Sequence, residues 1–224
     1  MNIENALGNA YKILSNNNIR SSKLDSEILM AKAIQKDRKF VILNLKKEIE
    51  KKSFDYFKNL VHQRSSGKPI AYLLGKKNFW NFEFVINKDV LVPRPDTEIL
   101  VEEVLRITKH RNNLKILDVG IGSGCILLSI LNEKKDFYGI GVDVSKKCLD
   151  LSTVNAKKIG VINRVKFIKS DVDNFNSGKY DLIISNPPYI KSFDIKYLEK
   201  DIVNFEPKLA LDGGLEGLSE IRKV

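Results

Sequence analysis

The stretch Lys115-Ile-Leu-Asp118-Val-Gly120-Ile121-Gly122-Ser123-Gly124-Cys125-Ile-Leu-Leu-Ser-Ile-Leu131 decides how this chain is read. Its first five residues form a short apolar run of the kind that makes a buried strand, and the residues after Gly124 continue as a helix. Glycines between a strand and a helix let a ligand approach the backbone closely. The helix N-terminus adds free N–H groups and a positive dipole end. The pattern is Gly-x-Gly-x-Gly, not the dinucleotide Gly-x-Gly-x-x-Gly, and an acidic residue stands two places before it. Asp118 would repel a pyrophosphate and would suit an ammonium group. A ligand-free strand-to-helix turn uses the same residues, so the loop alone names no function.

Downstream, the pattern predicts a strand at 137–142, a helix from about Ser145 to Gly160, and strands at 165–168 and 180–185. Upstream, a helix is expected from Ile99 to Ile107. Strands alternating with helices imply a parallel, right-handed α/β sheet covered on both faces. The first quarter of the chain reads differently. Ile3, Ala6, Leu7, Ala10, Ile13 and Leu14 repeat at helical spacing up to the Asn16–Asn18 run, and Ser21 or Ser22 can cap a second helix. A third amphipathic stretch runs from about Glu48 to Gln63. Gly67, Pro69 and Gly75 then mark a connector, and residues 78–87 alternate as a strand or hairpin. The expected division is 1–75 as an N-terminal helical substrate-docking domain, 76–96 as a hairpin connector, and 97–224 as the α/β domain.

Composition bounds the possibilities. The 224 residues suffice for one ordinary domain and a small accessory one. With 43% hydrophobic and 29% charged residues the chain is globular in composition, which excludes wholesale disorder, collagen and coiled coil. No apolar run approaches the roughly 18 residues of a membrane span. No export signal is visible at the N-terminus, and Cys125 and Cys148 read as reduced thiols, so a cytoplasmic protein is expected; a monomer is the expected state. His62 and His110 lack ligand spacing, so no metal is assigned. The net charge of +10 is concentrated in residues 1–90, which carry +8. Either an acidic or nucleic-acid-bearing partner docks there, or the 30 lysines, 8 arginines and 20 asparagines reflect an A/T-biased coding sequence.

Three further motifs carry chemistry. Asp143 ends the second strand 23 residues after Gly120, where a carboxylate can accept from both hydroxyls of a ribose; the same residue also serves as a helix cap. Asp171-Val172, after the third strand, can flank an adenine, and a plain surface turn explains them equally well. Together these loops fit an adenosine with a cationic amino-acid tail, which is S-adenosylmethionine. Asn186-Pro187-Pro188-Tyr189 follows the fourth strand directly. The prolines stiffen the turn and present the Asn186 side chain and the Pro187 carbonyl. A planar NH2 is a poor nucleophile because its lone pair is delocalised. Two acceptors that each take one N–H hold it for attack on a methyl group. Tyr189 can pack on the flat face of the acceptor.

At these residues the chain resembles the amino-methyltransferases of planar NH2 groups. More closely, it resembles the protein-(glutamine-N5) methyltransferases that modify peptide chain release factors, the PrmC/HemK family. The similarity extends through Pro69–Gly75, Phe79-Trp80, Val92-Pro-Arg94-Pro-Asp96-Thr-Glu98, Leu117–Ile126, Ser185–Ile190, Glu206-Pro207, Ala210-Leu211, Gly213-Gly214 and Gly217-Leu218. Phe205 and Glu216 depart from the Tyr and Asp usual in the family. The resemblance implies a Rossmann-like class I methyltransferase sheet after a small helical bundle. It implies that Asn186 and Pro187 are catalytic and, with Pro188 and Tyr189, hold a glutamine amide. Asp118, Gly120 to Gly124, Asp143, Asp171, Val172 and Asn186 would line the cofactor. Class I release factors would be the partner, held in part by the basic helices, with no nucleic acid or membrane required. It also implies further strands beyond residue 224, without which the fourth strand is an open apolar edge. Two other readings use the same motifs: an N6-adenine methyltransferase acting on DNA or RNA, and a non-catalytic nucleic-acid- or ribosome-binding module.

Overall fold

Asn2 accepts the Asn5 amide at 3.0 Å and so opens α1 (Ile3–Asn16), with Ile3, Ala6, Ala10 and Leu14 on its buried face. In the computed structural model, which describes residues 1–224, this helix belongs to the first of two units, residues 1–74 with 200–205; the second comprises 75–199 with 206–224. Residues 76–96 thus fall in the second unit.

α1 ends in the asparagine run, where Asn18 adopts φ 60°, a conformation asparagine tolerates better than most residues. In α2 (Ser22–Ala33) the expected cap is absent: Ser21 stands at the N-cap position with no side-chain capping bond, and Ser22 is inside the helix and buried. α3 (Arg38–Leu43), capped by Asp37 through the Phe40 amide at 2.7 Å, has only six residues and gave no periodic signal. α4 (Lys51–Ser65) buries Phe57, Leu60 and Val61 against Leu29, Met30 and Leu14. Each such side chain contributes about 1.5–3 kcal/mol on leaving water. α5 (Ile70–Leu74) replaces the expected connector. Within this apolar bundle Arg64 donates to Asp25 at 2.7 Å, with side-chain exposures of 9% and 3%, and also to the Gly67 and Lys68 carbonyls. A buried charge needs that full set of partners.

The second unit opens on the hairpin β1 (Lys76–Phe79) and β2 (Phe82–Val85). Its two-residue turn requires positive φ, and Trp80 supplies it at 53°. An aromatic residue adopts this only under constraint. The Trp80 amide donates to Glu98 at 2.7 Å and its indole to Glu133 at 2.8 Å. After α6 (Glu98–Ile107) come β3 (Lys115–Val119), α7 (Cys125–Glu133), β4 (Tyr138–Asp143), α8 (Lys146–Ile159), β5 (Val165–Lys169) and β6 (Leu182–Ser185). The four strands are parallel in the order β5-β4-β3-β6, with Leu117 opposite Ile140 on one side and Ile183 on the other. This is the expected Rossmann-like α/β sheet.

Ile116, Leu117, Val142 and Ile184 of the sheet are buried, as are Leu127, Leu128, Ile130 and Leu131 of α7. Arg164 closes the end of α7 by donating to the carbonyls of Leu131, Lys134 and Phe137 at 2.6–3.0 Å, groups that no helical amide can reach. β6 is an edge strand, and Ile183 on it is 53% exposed. The chain runs from β3 outward to β5 and then crosses to β6 on the far side of β3. Ligands of such sheets bind beyond the strand C-termini at this switch point. No helix is long and apolar enough to cross a membrane.

Candidate active site

A cleft of about 670 Å³ opens at the C-terminal ends of the strands, within the size range of small-molecule sites. One wall is the glycine loop. Gly120, Gly122 and Gly124 all adopt left-handed φ of 75°, 55° and 81°, which a side chain would strain. The Gly120 and Ile121 amides donate to the Val142 carbonyl at 2.9 and 3.0 Å, tying the loop to β4. Gly120, Ile121, Gly122 and Ser123 line the cleft, whereas Gly124 turns away and packs on Leu128 and Ser152.

Asp143 stands at the end of β4 and lines the cleft. Its Oδ2 accepts the Gly122 amide at 3.0 Å and its Oδ1 the Ser145 amide at 2.8 Å. Ser145, in turn, caps α8. A carboxylate has about four acceptor sites, so Asp143 keeps capacity for a ligand after fixing both loops. Asp118 lies elsewhere than expected. It is 1% exposed, does not line the cleft, and neither oxygen has a well-formed hydrogen bond. Burial, and secondarily the Asp143 charge, push its carboxyl up to about 7, and the nearby Leu127 amide offsets only part of this. Asp171 and Val172 line the cleft, with Asp171 also accepting the Asp173 amide at 3.1 Å.

Ser185, Asn186, Pro187 and Pro188 line the same cleft at the end of β6, the strand beside β3. Ser185 donates to the Val119 carbonyl at 2.8 Å, locking the turn to β3. Behind the turn, the Ile190 amide donates to the Leu211 carbonyl at 3.1 Å, and the Ile190 carbonyl accepts the Gly213 amide at 2.8 Å. Gly213 has no room for a side chain, since a Cβ there would lie 2.8–2.9 Å from Tyr189 Cα, the Gly217 carbonyl and the Pro188 carbonyl. Tyr189 is 65% exposed and faces an adjoining hollow, not the cleft.

Several cleft residues carry no role in the sequence analysis. Asp89, Val90, Pro93, Arg94 and Thr97 form another part of the wall, with Pro207 and Leu209. Arg94 donates to Glu206 at 2.6 Å, and Glu206, its side chain 2% exposed, also accepts the Val92 amide at 3.2 Å. Arg94 lies in the Val92–Glu98 motif and Glu206 in the Glu206-Pro207 pair, but 112 positions separate them and nothing in either motif pairs them. Cys125 and Cys148 also line the cleft. Burial pushes their thiols up to about 12 and about 11, so they stay protonated and are not nucleophiles.

A family model described as the PrmC N-terminal domain matches residues 5–75, and one described as the methyltransferase small domain matches residues 95–213. A release factor glutamine methyltransferase of Clostridium acetobutylicum is 38% identical over 227 residues, covering 100% of this chain and 80% of its own. The chain belongs to the release factor glutamine methyltransferase family. A relative of the same name from Buchnera aphidicola subsp. Acyrthosiphon pisum is 37% identical, with 100% and 79% covered. Among solved structures, the hMettl16 catalytic domain in complex with a 3'UTR hairpin aligns with a TM-score of 0.52 at 16% identity. That alignment covers 63% of this chain and 54% of that one, and it shows a shared fold. Family membership accounts for both units of the molecule, since the two domain models fall on the helical bundle and on the α/β sheet.

Proposed function

We propose that this protein transfers a methyl group from S-adenosylmethionine to the side-chain amide nitrogen of the glutamine in the Gly-Gly-Gln motif of class I peptide chain release factors. The observation that carries the proposal is the cleft itself. It gathers the glycine loop, Asp143, Val172 and Asn186-Pro187 around one cavity. The residues fit the cofactor. A Cβ at Gly120 would project into open space, so the bare backbone forms a cradle, and Asp143 keeps acceptor capacity for ribose hydroxyls. Gly120 to Ser123 would hold the amino-acid tail and Asp171-Val172 the adenine.

When bound, S-adenosylmethionine supplies an electrophilic methyl group on a sulfonium. The protein's own task is then to position a weak nucleophile. The Asn186 side-chain oxygen and the Pro187 carbonyl each accept one N–H of the substrate amide, and so fix the nitrogen and stabilise the positive charge that develops on it. No general base stands among the motif residues; once the nitrogen carries the methyl group its proton is strongly acidic and passes to water.

Asn186→Ala tests this directly. Turnover should fall about a hundredfold or more, as it does when one preorganised partner is removed. Affinity for S-adenosylhomocysteine should fall far less, because most cofactor contacts lie in the other loops. Single-turnover rates near wild type in a folded Asn186→Ala variant would make the turn merely structural.

A further inference from the structure

Two fully buried polar side chains on α8 have no place in the reaction as described. Ser152 and Asn155, three residues apart on one face of the helix, are both 0% exposed. Neither lines the cleft. A buried polar group costs stability unless it is bonded, so the partners show what the position is for. The Ser152 hydroxyl donates to the Gly122 carbonyl at 2.9 Å. Asn155 Nδ2 donates to the Ser123 carbonyl at 2.9 Å and to the Val85 carbonyl at 3.0 Å, while its Oδ1 accepts the Val85 amide at 2.8 Å.

The two carbonyls they hold are consecutive in the glycine loop, and Gly122 and Ser123 both line the cleft. The Gly122 residue is therefore gripped from two directions, its amide by Asp143 and its carbonyl by Ser152. Left-handed glycines have many conformations open to them, and a loop made of them needs external restraint to keep one shape. Val85 ends β2, so Asn155 also joins the hairpin to that loop through one amide group.

We propose that Ser152 and Asn155 are positioning residues for the cofactor: they clamp the glycine loop from the helix side in the one conformation that receives the amino-acid tail. The inference rests on the proposed cofactor. Loss of one such buried hydrogen bond corresponds to roughly tenfold in an equilibrium constant.

The test is calorimetric titration of the full chain with S-adenosylhomocysteine, paired with thermal unfolding of each variant. Ser152→Ala, nearly isosteric, should weaken binding several-fold with a modest fall in unfolding temperature, and Asn155→Ala should weaken it tenfold or more with a larger fall. Leu151→Ala, which removes an apolar buried side chain from the same helix, should lower the unfolding temperature and leave the dissociation constant unchanged. If Asn155→Ala does not fold, Ser152→Ala decides alone. Wild-type affinity in the folded Ser152→Ala variant would overturn the clamp while leaving the cofactor assignment intact. Failure of the wild-type chain to bind would overturn the assignment and the clamp with it.

Discussion

Gly213→Ala is a single-methyl perturbation aimed at the reaction geometry from behind. The added Cβ would lie 2.8 Å from the Gly217 carbonyl, 2.8 Å from Tyr189 Cα and 2.9 Å from the Pro188 carbonyl, whereas ordinary contacts begin at 3.4 Å. All three neighbours are backbone, so no flexible side-chain end can yield. Relief therefore requires a shift of about half an ångström in either the 213–217 segment or the Pro188-Tyr189 turn, at a cost of about 1–3 kcal/mol in stability. The Gly213 amide bond to Ile190, at 2.8 Å, couples the two segments and transmits the shift to the turn. A misplacement of 1 Å costs on the order of a hundredfold in rate, so half of that predicts roughly tenfold. The assay is single-turnover methyl transfer below the unfolding temperature, with S-adenosylhomocysteine affinity measured in parallel. The rate constant should drop with affinity preserved. A wild-type rate in the folded variant would refute the idea that this packing sets the position of Asn186 and Pro187.

Two other variants probe buried charge. Asp118→Asn removes a carboxyl held near 7 in the folded chain, against 3.8 as its ordinary value, so the wild-type protein gains stability from protonation below about pH 4 and loses it as pH rises through 7. That interval corresponds to roughly 4 kcal/mol, and the variant's stability, followed by denaturant unfolding from pH 4 to 8, should lack this fall. Matching pH profiles would show that Asp118 carries no such penalty. Asp25→Ala leaves the Arg64 guanidinium buried without its anion and should destabilise the helical bundle by about 3–5 kcal/mol, read by chemical denaturation of the full chain; a loss below 1 kcal/mol would mean the pair is replaceable by water.

The α/β unit was legible because its signals are local. β3 is an apolar five-residue run bounded by a glycine loop, and α8 lies between a serine cap at Ser145 and a left-handed Gly160. The cleft residues on loops after strands were legible for the same reason, since each follows a strand directly. Short helices were not. α3 and α5, at six and five residues, span too few turns to show periodicity. Asp118 was read as facing a ligand because alternation cannot say which way a strand residue points when both faces of the sheet are buried. The pairs Arg64–Asp25 and Arg94–Glu206, separated by 39 and 112 positions, exist only in the folded chain. So does the contact of Ser152 and Asn155 with the glycine loop, which a sequence shows only as two polar residues on a helix.

The most direct measurement is to incubate the protein with labelled S-adenosylmethionine, a class I release factor and duplex DNA together, then map the label. One methyl group on the side-chain nitrogen of the Gly-Gly-Gln glutamine, sharply reduced with Asn186→Ala, is the predicted result. Label on adenine of the DNA with none on the release factor would contradict it.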